Sequence, residues 1–128
     1  MSKLQCICGE LIRDNTDQLP YKGYVFTDIE FFGLFEKMSK DIAGFIQARL
    51  DGHEERWLAE YFKGESKMTD EDLVHTIIAR HLIHSNMDAY QCPKCGRIHI
   101  ERRDNSQRFD SFAPDEKPHR DVFRNDDV

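Results

Sequence analysis

Four cysteines carry the chemistry most open to reading. Cys6 and Cys8 stand near the start of the chain, Cys92 and Cys95 far along it, and a glycine follows each pair at Gly9 and Gly96. Thiolates are soft ligands, and four of them satisfy a tetrahedral zinc ion. Two cysteines separated by two residues reach one ion when the chain turns tightly. A glycine after the second cysteine permits positive φ, so that backbone N–H groups point at the sulfurs and stabilise their charge. Cys92-Pro93-Lys94-Cys95-Gly96 has all of this: Pro93 presets the turn, and Lys94 offsets part of the negative charge. The expectation is one structural Zn²⁺ held by Cys6, Cys8, Cys92 and Cys95. With all four positions filled by sulfur, no place remains for a water or substrate. Iron in the same site is the alternative metal. Disulfides are disfavoured in a chain read as cytoplasmic, and a Cys-x-Cys pair is badly placed to close on itself. A thioredoxin-like redox pair at Cys92 and Cys95 calls for a βαβ context that this sequence lacks.

The second pair, Cys92-Pro93-Lys94-Cys95-Gly96, resembles the knuckle of the zinc-ribbon or rubredoxin-like family, and Cys6-Ile7-Cys8-Gly9 resembles a shortened version of its other knuckle. The resemblance covers about the first dozen residues and about 90–112. It implies a four-cysteine zinc site at Cys6, Cys8, Cys92 and Cys95 within a β ribbon. Two departures stand out. The first pair is one residue closer than usual, and the stretch between the pairs far exceeds the usual spacing of about 15–20. An insertion accounts for the second departure. Ribbons serve many unrelated roles, so the resemblance brings no function with it.

The intervening sequence supplies that insertion. Residues Leu4 to Ile12 read as a short turned β segment, Asp14-Asn15-Thr16-Asp17 as turn chemistry, and Tyr24-Val25-Phe26 as a strand. Thr27 with Glu30 three positions on is a capping box that starts a helix. Phe31, Phe35, Met38, Ile42, Phe45, Ile46 and Leu50 follow at helical spacing as one apolar face, and Gly52 is its stop. Gly44 inside that helix marks close packing. A short second helix spans His53 to Phe62, and Gly64-Glu65-Ser66 breaks it. Thr69 caps a third helix, with Met68 and Leu73 spaced as a hydrophobic staple and with Val74, Ile77, Ile78 and His81 or Leu82 facing inward. Arg97 to Glu101 and Phe109 to Phe112 read as two strands joined around Asp104-Asn105-Ser106.

Other constellations invite a functional reading. His81 and His84, three apart with Asp88 a turn further on, are a candidate second metal site, against the plainer expectation of a packed His81 and a solvated His84. Arg97, Arg102, Arg103 and Arg108 gather on the C-terminal hairpin, but Glu101, Asp104 and Asp110 interrupt them. Phe31, Phe32, Phe35, Phe45, Trp57, Tyr61 and Phe62 crowd the insertion, and most are expected in the core; adjacent Phe31 and Phe32 cannot both face one neighbour from a helix, which points to a protein partner or a homodimer for part of this surface.

Composition bounds the rest. The chain has 128 residues, 39% hydrophobic and 33% charged, which suits one folded domain with a modest core. The formal net charge is −6; four thiolates less a divalent ion's two charges would lower it to −8. Phosphate neutralisation drives nucleic-acid binding, so that balance opposes nucleic acid and anionic membrane surfaces alike. The first residues, Met1 to Cys6, lack the apolar stretch of a secretory signal, and the expected location is the cytoplasm. The expected fold is α+β: zinc-ribbon hairpins from both chain ends carrying a two- to three-helix insertion at about 27–87, one domain over 1–112, with a mobile charged tail at 113–128. The expected function is non-enzymatic protein binding, as in a small acidic accessory or inhibitor-like protein of the antidote type. The alternative is a nucleic-acid-associated zinc ribbon such as a transcription accessory factor, and catalysis at a second metal site near His81 and His84 ranks third.

Overall fold

The computed structural model describes residues 3–63, 68–118 and 121–123. The fold is α+β, with three helices and two antiparallel sheets among the described residues. It divides into two compact units, Met1–Val25 with Met87–Val128, and Phe26–Asn86.

The first unit is the β unit. Strands β1 (Lys3–Gln5) and β2 (Leu11–Arg13) form a hairpin in which Leu4 sits opposite Ile12. Strand β3 (Lys22–Val25) opens a four-stranded sheet that the chain completes only after the helices, with β4 (Met87–Gln91), β5 (Ile98–Arg102) and β6 (Asn105–Phe112) in the order β3-β4-β5-β6. Register places Lys22, Tyr90, His99 and Ser111 in one row across the sheet. Because side chains alternate along a strand, that row shares a face. Tyr90 on this face packs with Cys6, Ile12 and Cys92, and Leu4, Tyr21 and Phe109 surround them.

The opposite face carries Gly23, Ala89 and Gln91. The C-terminal segment lies on it: Val122 N–H donates to Gln91 Oε1 at 2.9 Å. The Phe123 ring sits so near Gly23 that a Cβ there would come within 2.7 Å of it. Within the expected tail, residues 119, 120 and 124–128 lie outside the described residues.

Two features of this sheet differ from the sequence reading. Strand β4 was not expected, because Met87-Asp88-Ala89 shows neither β-branched enrichment nor alternation. Pairing on both edges and burial of Ala89, Tyr90 and Gln91 decide the matter instead. Strand β6 also begins earlier, at Asn105. Its register slips between Glu101↔Phe109 and Arg102↔Asn105, so that residues 106–108 bulge, held by Gln107 N–H donating to Asn105 Oδ1 at 3.0 Å.

The second unit is helical: α1 (Asp28–Leu50), α2 (Glu54–Phe62) and α3 (Asp70–Ile83). The caps form as the sequence indicates. Thr27 accepts from Glu30 N–H at 3.2 Å and donates its hydroxyl to Glu30 Oε1, and Thr69 accepts from Asp72 N–H at 3.2 Å. Asp51 caps the end of α1, and Gly52 at φ +77° turns the chain away. The break expected at Gly64-Glu65-Ser66 lies outside the described residues. Phe45, Leu73 and Ile77 make the core, with Ile42, Trp57, Leu58, Tyr61, Phe62 and Met68 against it. A Cβ at Gly44 would meet Trp57 Nε1 at 3.3 Å, so this glycine lets α2 lie close on α1.

The single apolar face read for α1 is in fact two. Leu34 and Phe45 are buried and Ile42 packs on the core, whereas Phe31, Phe32, Phe35, Ile46 and Leu50 face outward at 45%, 60%, 53%, 52% and 75% exposure. No described helix is long and apolar enough to cross a membrane.

Candidate metal centre

The site is built from two backbone knuckles of matching design. In the first, Cys6 N–H donates to Glu10 O at 2.8 Å and Gly9 N–H to Cys6 O at 2.9 Å. In the second, Cys92 N–H donates to Arg97 O at 2.8 Å and Gly96 N–H to Cys92 O at 2.9 Å. Each glycine adopts the positive φ that the turn requires, +100° at Gly9 and +80° at Gly96. The one-residue-shorter first pair therefore closes the same kind of turn on one residue less.

These turns bring the four sulfurs together. All lie within 4.8 Å of one another, with Cys6 Sγ 3.5 Å from Cys95 Sγ and Cys8 Sγ 3.6 Å from Cys92 Sγ. A tetrahedron with metal–sulfur bonds of about 2.3 Å has edges of about 3.8 Å, so the cluster has the right size for one ion. A disulfide would need about 2.05 Å, and all four cysteines are free thiols. Both of these separations run between knuckles, so an ion here would tie the β1–β2 hairpin to the β4–β5 turn. Among the described residues this is the one group of three or more metal-ligating side chains close enough to share an ion.

The electrostatics suit a bound cation. Burial pushes the Cys6 thiol up to about 12, with the neighbouring thiols adding to the effect and the Cys8 N–H opposing it. Burial likewise raises Cys92, against the N–H groups of Cys95 and Lys94. At Cys95 burial also raises, but the Arg97 N–H and guanidinium outweigh it and hold the thiol down at about 6. Arg97 Nη1 lies 3.4 Å from Cys95 Sγ. Crowded thiols cannot all ionise unaided, and a divalent cation at their centre removes that conflict.

The other candidates sort themselves by contact. His81 and His84 do not share a site: His81 Nε2 lies 2.6 Å from Asp41 Oδ2, His84 is the exposed C-cap of α3, and Asp88 belongs to β4. Helix geometry explains the difference, since α3 ends before Asp88 can add a further turn. On the hairpin, Arg97 is engaged with Cys95, and Arg102 with Asp104 at 2.8 and 3.1 Å.

Three polar clusters escaped the sequence reading because each joins residues distant in sequence. Asp41 accepts Tyr61 Oη at 2.6 Å as well as facing His81, which links all three helices. Arg49 bridges Glu54 and Asp70 at the other end of the bundle. Asp14 pairs with Lys22 at 2.6 Å and accepts the Tyr90 hydroxyl beside the hairpin. His99 is buried with Nε2 lacking a hydrogen-bond partner, and burial, with Arg97 assisting, lowers its pKa.

A family described as a domain of unknown function (DUF8617) matches residues 2–116. No curated protein and no solved structure matches the chain.

Proposed function

The chain belongs to the DUF8617 family, whose match takes in both cysteine pairs and all three helices, and we propose that it is a zinc-knit protein-binding module without catalytic activity. Cys6, Cys8, Cys92 and Cys95 would hold one structural Zn²⁺ in a site of zinc-ribbon kind. Four thiolates, buried or half-buried, leave no ligand position for chemistry. A rubredoxin-like iron site uses the same ligands, and elemental analysis of the purified protein separates the two.

The observation that carries the binding reading is the outward row on α1. Phe31 meets Phe32 and Phe35 edge to face at 5.6 and 5.0 Å, and Ile46 and Leu50 are exposed on the same helix about three and four turns beyond Phe35. Contiguous exposed aromatic surface of this size is a mark of protein-binding faces. The alternative, a nucleic-acid-associated ribbon, draws less support, since Arg97 and Arg102 are committed within the fold and the net charge is −6.

Two measurements test the reading. The first is capture of binding partners by the intact chain and by Phe32→Glu, with loss of capture expected in the variant. The second is titration with duplex and single-stranded DNA and RNA at physiological salt, with no sub-micromolar binding expected. Salt-sensitive nucleic-acid binding weakened by Arg103→Ala would overturn the proposal in favour of the alternative.

A further inference from the structure

We infer that the outward face of α1 pairs with the same face of a second copy of this chain, the two helices running antiparallel about a two-fold axis at Ser39. The inference rests on the protein-binding reading and names its partner. Phe32, Phe35, Ser39, Ala43 and Ile46 are all exposed and recur at intervals of three, four, four and three residues. On an α-helix those intervals keep all five on one stripe. They are also symmetric about Ser39, which is the condition for an isologous contact in which residue i meets j and j meets i. Turned end for end, Phe32 falls opposite Ile46 of the second copy, Phe35 opposite Ala43, and Ser39 opposite itself. Bulky residues thus meet smaller ones, and the smallest side chains sit where the two backbones cross.

Charge and area agree with a like partner. Glu36 and Lys40, both exposed, lie one turn apart on the same flank of the stripe. Across the two-fold axis each comes near its opposite in the second copy. Antiparallel packing also sets the positive end of each helix dipole beside the negative end of the other. Taking about 200 Å² for a fully exposed large side chain, the exposed parts of Phe31, Phe32, Phe35, Ile46 and Leu50 amount to roughly 570 Å² per chain. The pair would bury roughly 1,100 Å², near the lower edge of a specific protein interface. A contact of that size favours a dimer in the micromolar range over an obligate one.

Sedimentation equilibrium of the full chain over a wide concentration range is the direct test. The expected result is a reversible dimer, with Phe32→Glu and Ile46→Glu each weakening it at least tenfold while far-UV circular dichroism is unchanged. Ser39→Cys in the metal-loaded protein should oxidise to a disulfide-linked dimer. Lys37→Cys, on the other side of α1, should not. Glu36→Lys should weaken the dimer and Glu36→Lys with Lys40→Glu should restore it. A chain monomeric throughout, or a dimer indifferent to Phe32→Glu and Ser39→Cys, overturns the self-pairing. The two failures are separable: a monomer whose capture of other proteins is lost in Phe32→Glu sinks the inference and leaves the protein-binding reading, whereas a monomer whose capture is unaffected sinks both.

Discussion

Removing the proposed zinc ion should unfold the β unit and spare the helices. The expectation comes from how little else closes that unit. Apart from Cys6 and Cys92, the buried apolar side chains among its described residues are Ile12, Ala89 and Tyr90. Burying a large apolar side chain contributes about 1.5–3 kcal/mol, so Ile12 and Tyr90 together supply about 5 kcal/mol. A structural zinc ion in a small cysteine-rich module contributes on the order of 10 kcal/mol. Domain stabilities run at about 5–15 kcal/mol, so loss of the ion removes most or all of the margin. Cys92 is wholly buried, and Cys92→Ser replaces a thiolate by a hydroxyl that binds zinc poorly while leaving the same space polar. The helical unit has its own core in Phe45, Leu73 and Ile77, and no cysteine belongs to it.

The assay is elemental analysis for one zinc per chain, followed by hydrogen exchange before and after a strong chelator. Amides of β4 and β5 should lose protection in the chelated protein and in Cys92→Ser, while those of α1 and α3 keep it. Ile7→Ala is the control, since Ile7 lies between two of the cysteines yet is 78% exposed. It should bind metal and melt as the parent does. Complete metal removal with unchanged strand protection and melting temperature refutes the structural role.

Three further outcomes are expected. Asp41→Asn should cost about 2 kcal/mol in denaturant unfolding, because one half-buried carboxylate receives Tyr61 Oη and faces His81; no measurable loss would show that this link between the three helices is idle. Asp14 is held below the usual carboxylate range, its burial opposing but Lys22 and the Tyr90 hydroxyl prevailing. Its contribution is therefore full above the unfolded value of about 3.9 and is lost as pH falls through the lower folded one, so Asp14→Asn should flatten the fall in melting temperature over that acid range. Gly44→Val should cost about 1–3 kcal/mol by forcing Trp57 off α1, seen as a lower unfolding midpoint and altered Trp57 fluorescence.

The parts of this fold legible in the sequence are those whose signals lie within a few residues of one another. Thr27 and Thr69 announce their helices because a cap is a contact over three positions, and Gly52 ends α1 for the same reason. The two cysteine knuckles are equally local, each a turn closed by a glycine. What the sequence left unread depends on pairing over distance. Strand β4 has no strand pattern of its own and exists because β3 and β5 flank it. Asp41 and Arg49 carry no local signal and Asp14 reads only as part of a turn, because the partners that engage them come from other elements of the fold.

The α1 face shows the same limit in its sharpest form. Helical periodicity places Phe31, Phe35, Met38, Ile42, Phe45, Ile46 and Leu50 within a broad apolar arc, and periodicity alone treats such an arc as one face. A helix 23 residues long that is met by α2 and α3 along one side buries only the part of the arc they reach. Phe45 and Ile42 fall inside that part, together with Leu34, which the sequence reading passed over; Phe31, Phe35, Ile46 and Leu50 fall outside it. Apolar side chains left in water on a soluble surface forgo the roughly 25 cal/mol per Å² that burial would return. The width of an apolar arc compared with the width its own neighbours cover is therefore the quantity that separates core from exposed face, and it becomes measurable only once those neighbours are in place.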